Sequence, residues 1–183
     1  MSAVDVLDQA LERSSGLDEG GPEASSGHLP SLTRDRVGAT RQARARLMSL
    51  HISKLRGITY ELRGKLKQRG ITYADQLLDA AGSLEQRRRL AAETGIEEAA
   101  LARLVCRADL ARIKGIGAIF ADMLELIGID RVVRLTGQDA AALHATLHEL
   151  NVAERFARRA PTPEEVVSWV AQAKALPQRV DED

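Results

Sequence analysis

Apolar residues recur along most of this chain at the three- and four-residue spacing of amphipathic helices. Val4, Leu7 and Leu11 lie on one stripe with Asp5, Asp8 and Glu12 opposite, which predicts a short helix over residues 3–13. A helix so short is unstable alone in water, so it docks on something or frays. Residues 14–32 are rich in Ser, Gly and Pro and read as a flexible linker. From Thr40 to Leu55 a helix is expected, with Leu47, Leu50 and Lys54 along one side. Short helices follow over Thr72–Ala81 and Leu84–Thr94, the second opened by a Ser83/Gln86 capping box. Glu97–Ala108 points Leu101, Leu104 and Val105 inward, and a further helix runs from Ala118 to a C-capping Gly128. Asp130–Leu135 and Asp139–Leu150 come next, the latter with Leu143, Leu147 and Leu150 inward. The last helix opens with Thr162 as N-cap, Pro163 in the first turn and Glu165 as capping-box acid. Val166, Trp169, Val170 and Ala173 form its core face, and the chain from Pro177 reads as a tail.

Two corners organise this pattern. At Arg112-Ile113-Lys114-Gly115-Ile116-Gly117 one helix ends and another begins at once, and both glycines suit positive φ or a close backbone approach. Leu55-Arg56-Gly57-Ile58-Thr59 is a corner of the same kind 58 residues earlier. At that offset Ile58 matches Ile116, Leu66 matches Leu124, Gly70 matches Gly128, Ile71 matches Ile129 and Leu77 matches Leu135. Thr72 and Asp130 also coincide, and both are N-capping types. This is an internal repeat. Thr59 in place of the second glycine and Arg63 in place of Ala121 make the first copy the more degenerate and the more basic.

Gly-hydrophobic-Gly followed in register by Ala121, Leu124, Gly128 and Ile129 resembles the helix-hairpin-helix motif. From about Leu47 to Leu176 the chain resembles an uncharacterised bacterial domain family of tandem helix-hairpin-helix-like repeats, of the wider helix-hairpin-helix and SAM-like superfamily. Leu55–Thr59, Ala108–Gly117 and Val167-Ser168-Trp169-Val170 carry the likeness. The resemblance implies an all-α fold of two related five-helix units. The expected organisation is a helix over 1–15, a linker over 16–39, repeats over 40–110 and 111–177, and a tail over 178–183. In the motif's wider superfamily the hairpin's backbone amides bind a nucleic-acid phosphate, much as a helix N-terminus binds an anion.

Charge changes the picture more than composition does. The net charge is zero, yet between Arg34 and Arg69 eleven cations face only Asp35 and Glu61, giving +9 against −9 elsewhere. Such asymmetry suggests a polyanion surface, or else a solvated basic face balanced by acids from the rest of the chain. One cysteine, Cys106, excludes a disulfide framework and a zinc cluster and points to a reducing cytoplasm. No apolar run reaches membrane-spanning length, so no membrane partner is expected. Catalytic signatures are missing: His144 and His148 lack the intervening Glu and third ligand of a metal site, and no phosphate-binding loop or nucleophile elbow is present. No enzymatic activity, cofactor, metal or small-molecule substrate is expected.

Two function classes remain. In the first, the chain binds double-stranded DNA without sequence preference. Its candidate residues are Lys54, Arg56, Gly57, Ile58, Thr59, Arg63, Lys65 and Lys67 of the first repeat, with Arg112, Lys114, Gly115, Ile116 and Gly117 of the second. In the second, it is an adaptor or self-assembling scaffold using Val4, Leu7 and Leu11 of the N-terminal helix and Ile119-Phe120 beyond the second corner. The basic and acidic repeats could then pair head to tail between copies.

Overall fold

The structure, a computed structural model, describes residues 49–181. The expected N-terminal helix with Val4, Leu7 and Leu11, the linker, and the basic residues before Ser49 lie outside the described residues. All that follows belongs to the unit Val37–Asp183.

Among the described residues the chain is all-α, with eight α-helices and one 3-10 turn at Ile52–Lys54. The helices are α1 (Tyr60–Gln68), α2 (Ala74–Ala81), α3 (Leu84–Thr94), α4 (Glu98–Leu110), α5 (Ala118–Leu126), α6 (Val132–Thr136), α7 (Ala140–Glu154) and α8 (Pro163–Ala175). Four α-helices therefore follow each corner, where five were expected in each unit. The shortfall in the first is at the helix expected over Thr40–Leu55, whose described part is not α-helical. His51 forms an antiparallel bridge to Tyr73 instead. The amides of Ile52 and Ala74 bond to the carbonyls of Thr72 and Leu50, drawing the entering chain out into extended form. Ile52 and Leu55 are buried, while Leu50, expected on one side of that helix with Leu47 and Lys54, is 38% exposed.

Helices α1 and α5 are each nine residues long, and both end alike. Gly70 (φ 75°) and Gly128 (φ 84°) take the left-handed conformation just past the helix. Their amides return to Lys67 and Glu125, while those of Ile71 and Ile129 return to Leu66 and Leu124. This paired return satisfies the orphan carbonyls and buries an Ile against a Leu.

Two hydrophobic clusters result. One gathers Ile52, Leu55, Leu66, Leu77, Leu101, Leu104 and Val105, with α4 packed on α2 and α3. The other gathers Leu110, Ile113, Ile116, Leu124, Leu135, Leu147, Trp169 and Val170, with α8 packed on α6 and α7. Each fully buried side chain of this size contributes roughly 1.5–3 kcal/mol. The residues after Pro177, expected as a tail, instead pack on the folded chain. Val180 is buried in the first cluster, the Asp181 amide bonds to the Gly82 carbonyl at 3.1 Å, and Arg179 pairs with Asp79.

Candidate functional site

The two corners face one another across the seam between the clusters. Lys54, Leu55 and Arg56 of the first, and Ile113 to Ala118 of the second, line one cavity of about 450 Å³. Lys54, Arg56, Lys114, Gly115, Ile116 and Gly117 are thus brought together; Arg63 and Lys67 are not. Those two lie beside Tyr60 and His51 at a separate depression, with the Arg63 guanidinium 5.2 Å from the Tyr60 ring centre. Lys65 is engaged along the surface of the first half, donating to the Gly95 carbonyl at 3.1 Å and pairing with Glu61 at 3.0 Å. Ile58 packs against the first cluster.

The corner glycines divide in role. Gly57 (φ 81°) and Gly115 (φ 102°) both need the left-handed region. A Cβ on Gly57 would stand 2.6 Å from Nη1 of Arg107, and one on Gly115 would stand 2.8 Å from Nε1 of Trp169. Each corner is therefore covered by a side chain from the last helix of its own half. Gly117 is different: its φ is −84° and nothing lies near where its Cβ would be. It is the N-cap of α5, as Thr59 is of α1, and the Thr59 hydroxyl accepts from the Leu62 amide at 3.2 Å. Thr59 is thus a working cap rather than a degenerate glycine, whereas no side chain caps α5.

Several expected cations and apolar contacts are committed elsewhere. Arg112 donates to Asp109 at 2.5 Å and to the Pro177 carbonyl at 2.7 Å, so it braces the corner from behind. Gln172 on α8 grips Lys114 by its backbone, accepting from the amide at 2.9 Å and donating to the carbonyl at 3.1 Å, which leaves the ammonium exposed. Phe120 is not an exposed docking residue: it is half-buried, its ring 5.3 Å from that of Trp169, while Ile119 remains 43% exposed.

The acidic groups of α5 meet the basic groups of the first half within one chain. Asp122 pairs with Arg56, and Glu125 takes Arg107 in a two-pronged bond of 2.7 and 2.8 Å. Arg107 also donates to the Arg56 carbonyl at 2.6 Å, joining α4, α5 and the first corner. Its bond to Glu125 and the nearby Asp122 charge raise the Arg107 pKa above its ordinary value despite the cost of burial. Sequence reasoning misses Arg107, Gln172, Asp122 and Glu125 as parts of this seam. Helix order after the two corners pairs α4 with α8, although the 58-residue offset no longer holds there, and so could have marked them as the helices covering the two corners; nothing in the sequence points to Gln172.

His144 and His148 are 6.2 Å apart by ring centres, and no metal-binding group of three or more His, Cys, Asp or Glu occurs among the described residues. Cys106 is buried. No described helix is long and apolar enough to cross a membrane. No curated protein and no solved structure matches the chain. A family model does, over residues 56–176, which span both corners and all eight helices, and the chain belongs to that family, described as a domain of unknown function, DUF4332.

Proposed function

We propose that the chain is a tandem helix-hairpin-helix protein that binds double-stranded DNA through backbone phosphates, without sequence preference and without catalysis. The equal lengths of α1 and α5, their matching glycine ends and the two left-handed corner glycines support the repeat reading. One observation carries the binding reading. The amino terminus of α5 has no side-chain cap and opens at the cavity rim beside Lys114, with Lys54 and Arg56 across from it. First-turn amides and the helix dipole favour an anion there, and exposed cations supply the long-range attraction. The contact surface is narrower than the thirteen residues the sequence suggests: Arg112 is internally bonded and Thr59 already caps α1, whereas α5 has no side-chain cap, so the second corner carries the phosphate.

The test is fluorescence anisotropy with labelled duplexes of unrelated sequence over a range of salt. Affinity should fall linearly with log salt and be the same for each sequence, and Lys114→Glu should weaken binding to all of them and reduce the slope by about 1. Absence of binding at roughly 50 mM salt, or a Lys114→Glu protein that binds like wild type, would overturn the proposal.

A further inference from the structure

Phosphate contact at the α5 terminus engages the rim and leaves the apolar cavity behind it unused. That cavity encloses about 450 Å³, within the roughly 300–1,000 Å³ of small-molecule sites, which favour the seams between cores. Its walls come from both cores: Leu55 belongs to one, and Ile113, Ile116 and Ala121 to the other. Of the charges on the same wall, Arg56 is paired with Asp122 and Arg107 with Glu125, which leaves Lys54 and Lys114 as its positive excess. The positive end of α5 adds to that side. An apolar body with one negative head is complementary to such a site on both counts, and a cationic or purely polar molecule is complementary on neither.

We propose that the seam cavity binds an amphiphilic anion, an aliphatic chain bearing a single carboxylate or phosphate head. The chain lies against Leu55, Ile113, Ile116 and Ala121. The head sits at the rim between Lys54, Lys114 and the first amides of α5. It is a ligand, not a substrate, and no reaction is involved. The site shares Lys54 and Lys114 with the DNA surface but stands on the cavity, so it is tested without nucleic acid.

The experiment is calorimetric titration of the full chain, below micelle-forming concentrations, with decanoate, decyl phosphate, decyltrimethylammonium and inorganic phosphate. The expected result is saturable one-to-one binding of at least one anionic amphiphile, with little or none of the other two. The preferred head group follows from which anion binds. Trp169, the sole tryptophan, packs against Gly115, which lines the cavity, so its emission should change on binding. Ala118→Phe, which fills the mouth from an exposed position, should reduce affinity at least tenfold with an unchanged circular dichroism melt. The double variant Lys54→Glu, Lys114→Glu should do the same. No saturable binding of either anion, equal binding of the ammonium amphiphile, or a folded Ala118→Phe protein that binds like wild type would each overturn the proposal. DNA binding, measured separately by anisotropy, does not depend on the cavity being filled, so the two readings fail independently.

Discussion

Gly115 and Gly117 sit in one corner and answer to different constraints. At Gly115 the backbone is left-handed and the indole edge of Trp169 occupies the place of a side chain, so an added methyl meets both strain and a clash. Gly115→Ala should cost about 1–3 kcal/mol in urea unfolding, the range of a strained non-glycine residue, and Gly115→Val more. Gly117 has an ordinary φ and open space, and it stands where Thr59 caps the other helix. Gly117→Ser should therefore leave stability unchanged or raise it by a few tenths of a kcal/mol. Gly117→Asp should hold stability while placing a carboxylate where the phosphate would sit, and so should weaken DNA binding. Equal losses at Gly115 and Gly117 would show that space and φ do not separate the two positions.

At the scale of elements, ends that close on their own neighbours are legible in the sequence and ends that close across the chain are not. Ser83 with Gln86, and Thr162 with Glu165, form the capping boxes their spacing announces. The glycine ends of α1 and α5 follow equally from local chemistry. Thr72 and Asp130 have the side chains of N-caps but do not act as such. The N-caps are Tyr73 and Arg131, and the buried Asp109 reaches from α4 to accept the Val132 amide at 2.8 Å. No local pattern discloses an acceptor 23 residues away. The same limit hides the cavity, because it depends on how two corners 58 residues apart meet. The capping box of α8 carries a pH dependence of its own. Arg159 bonds Glu165 at 2.6 and 2.8 Å and, with the Thr162 amide, lowers the Glu165 pKa from its usual 4.5 to about 2. A carboxylate depressed on folding adds stability that is complete above its unfolded pKa and lost as pH falls toward the folded one. This contribution should therefore fade between pH 4.5 and about 2. Glu165→Gln keeps an acceptor for the Thr162 amide and loses the exposed ion pair, so it should cost no more than about 1 kcal/mol at neutral pH. It should also flatten part of the acid limb, whereas Thr162→Ala should cost about 1 kcal/mol throughout. Urea unfolding at neutral pH and near pH 3 distinguishes them. Parallel acid losses in Glu165→Gln and wild type would rule out the assigned role.

On the scale of the described molecule, two apolar clusters meet at a seam that holds an apolar-walled cavity and is tied by ion pairs, so what joins them differs in kind from what fills them. The seam holds the Arg56–Asp122 and Arg107–Glu125 pairs, and partly exposed pairs of that sort contribute little each. The segment after α8 adds an apolar tie. Leu176 packs on the second cluster and Val180, four residues on, is buried in the first. Arg112 holds the Pro177 carbonyl and Arg131 the Asp181 carbonyl at 2.7 Å each, while Asp79 and the Gly82 carbonyl hold the segment from the first half, so polar anchors come from both halves and Val180 fills the first alone. Shortening Val180 should therefore loosen the first cluster selectively. Val180→Ala is expected to cost about 1–3 kcal/mol through the cavity it leaves. In native-state hydrogen exchange, amides of α2, α3 and α4 should lose protection by more than those of α6, α7 and α8. A chain ending after Leu176 should show the same pattern more strongly, and should also become more sensitive to salt, since the screened ion pairs would then carry more of the joint. If protection instead fell equally in both halves, the clusters would be unfolding as one cooperative unit, and the strap would be an ordinary part of a shared core.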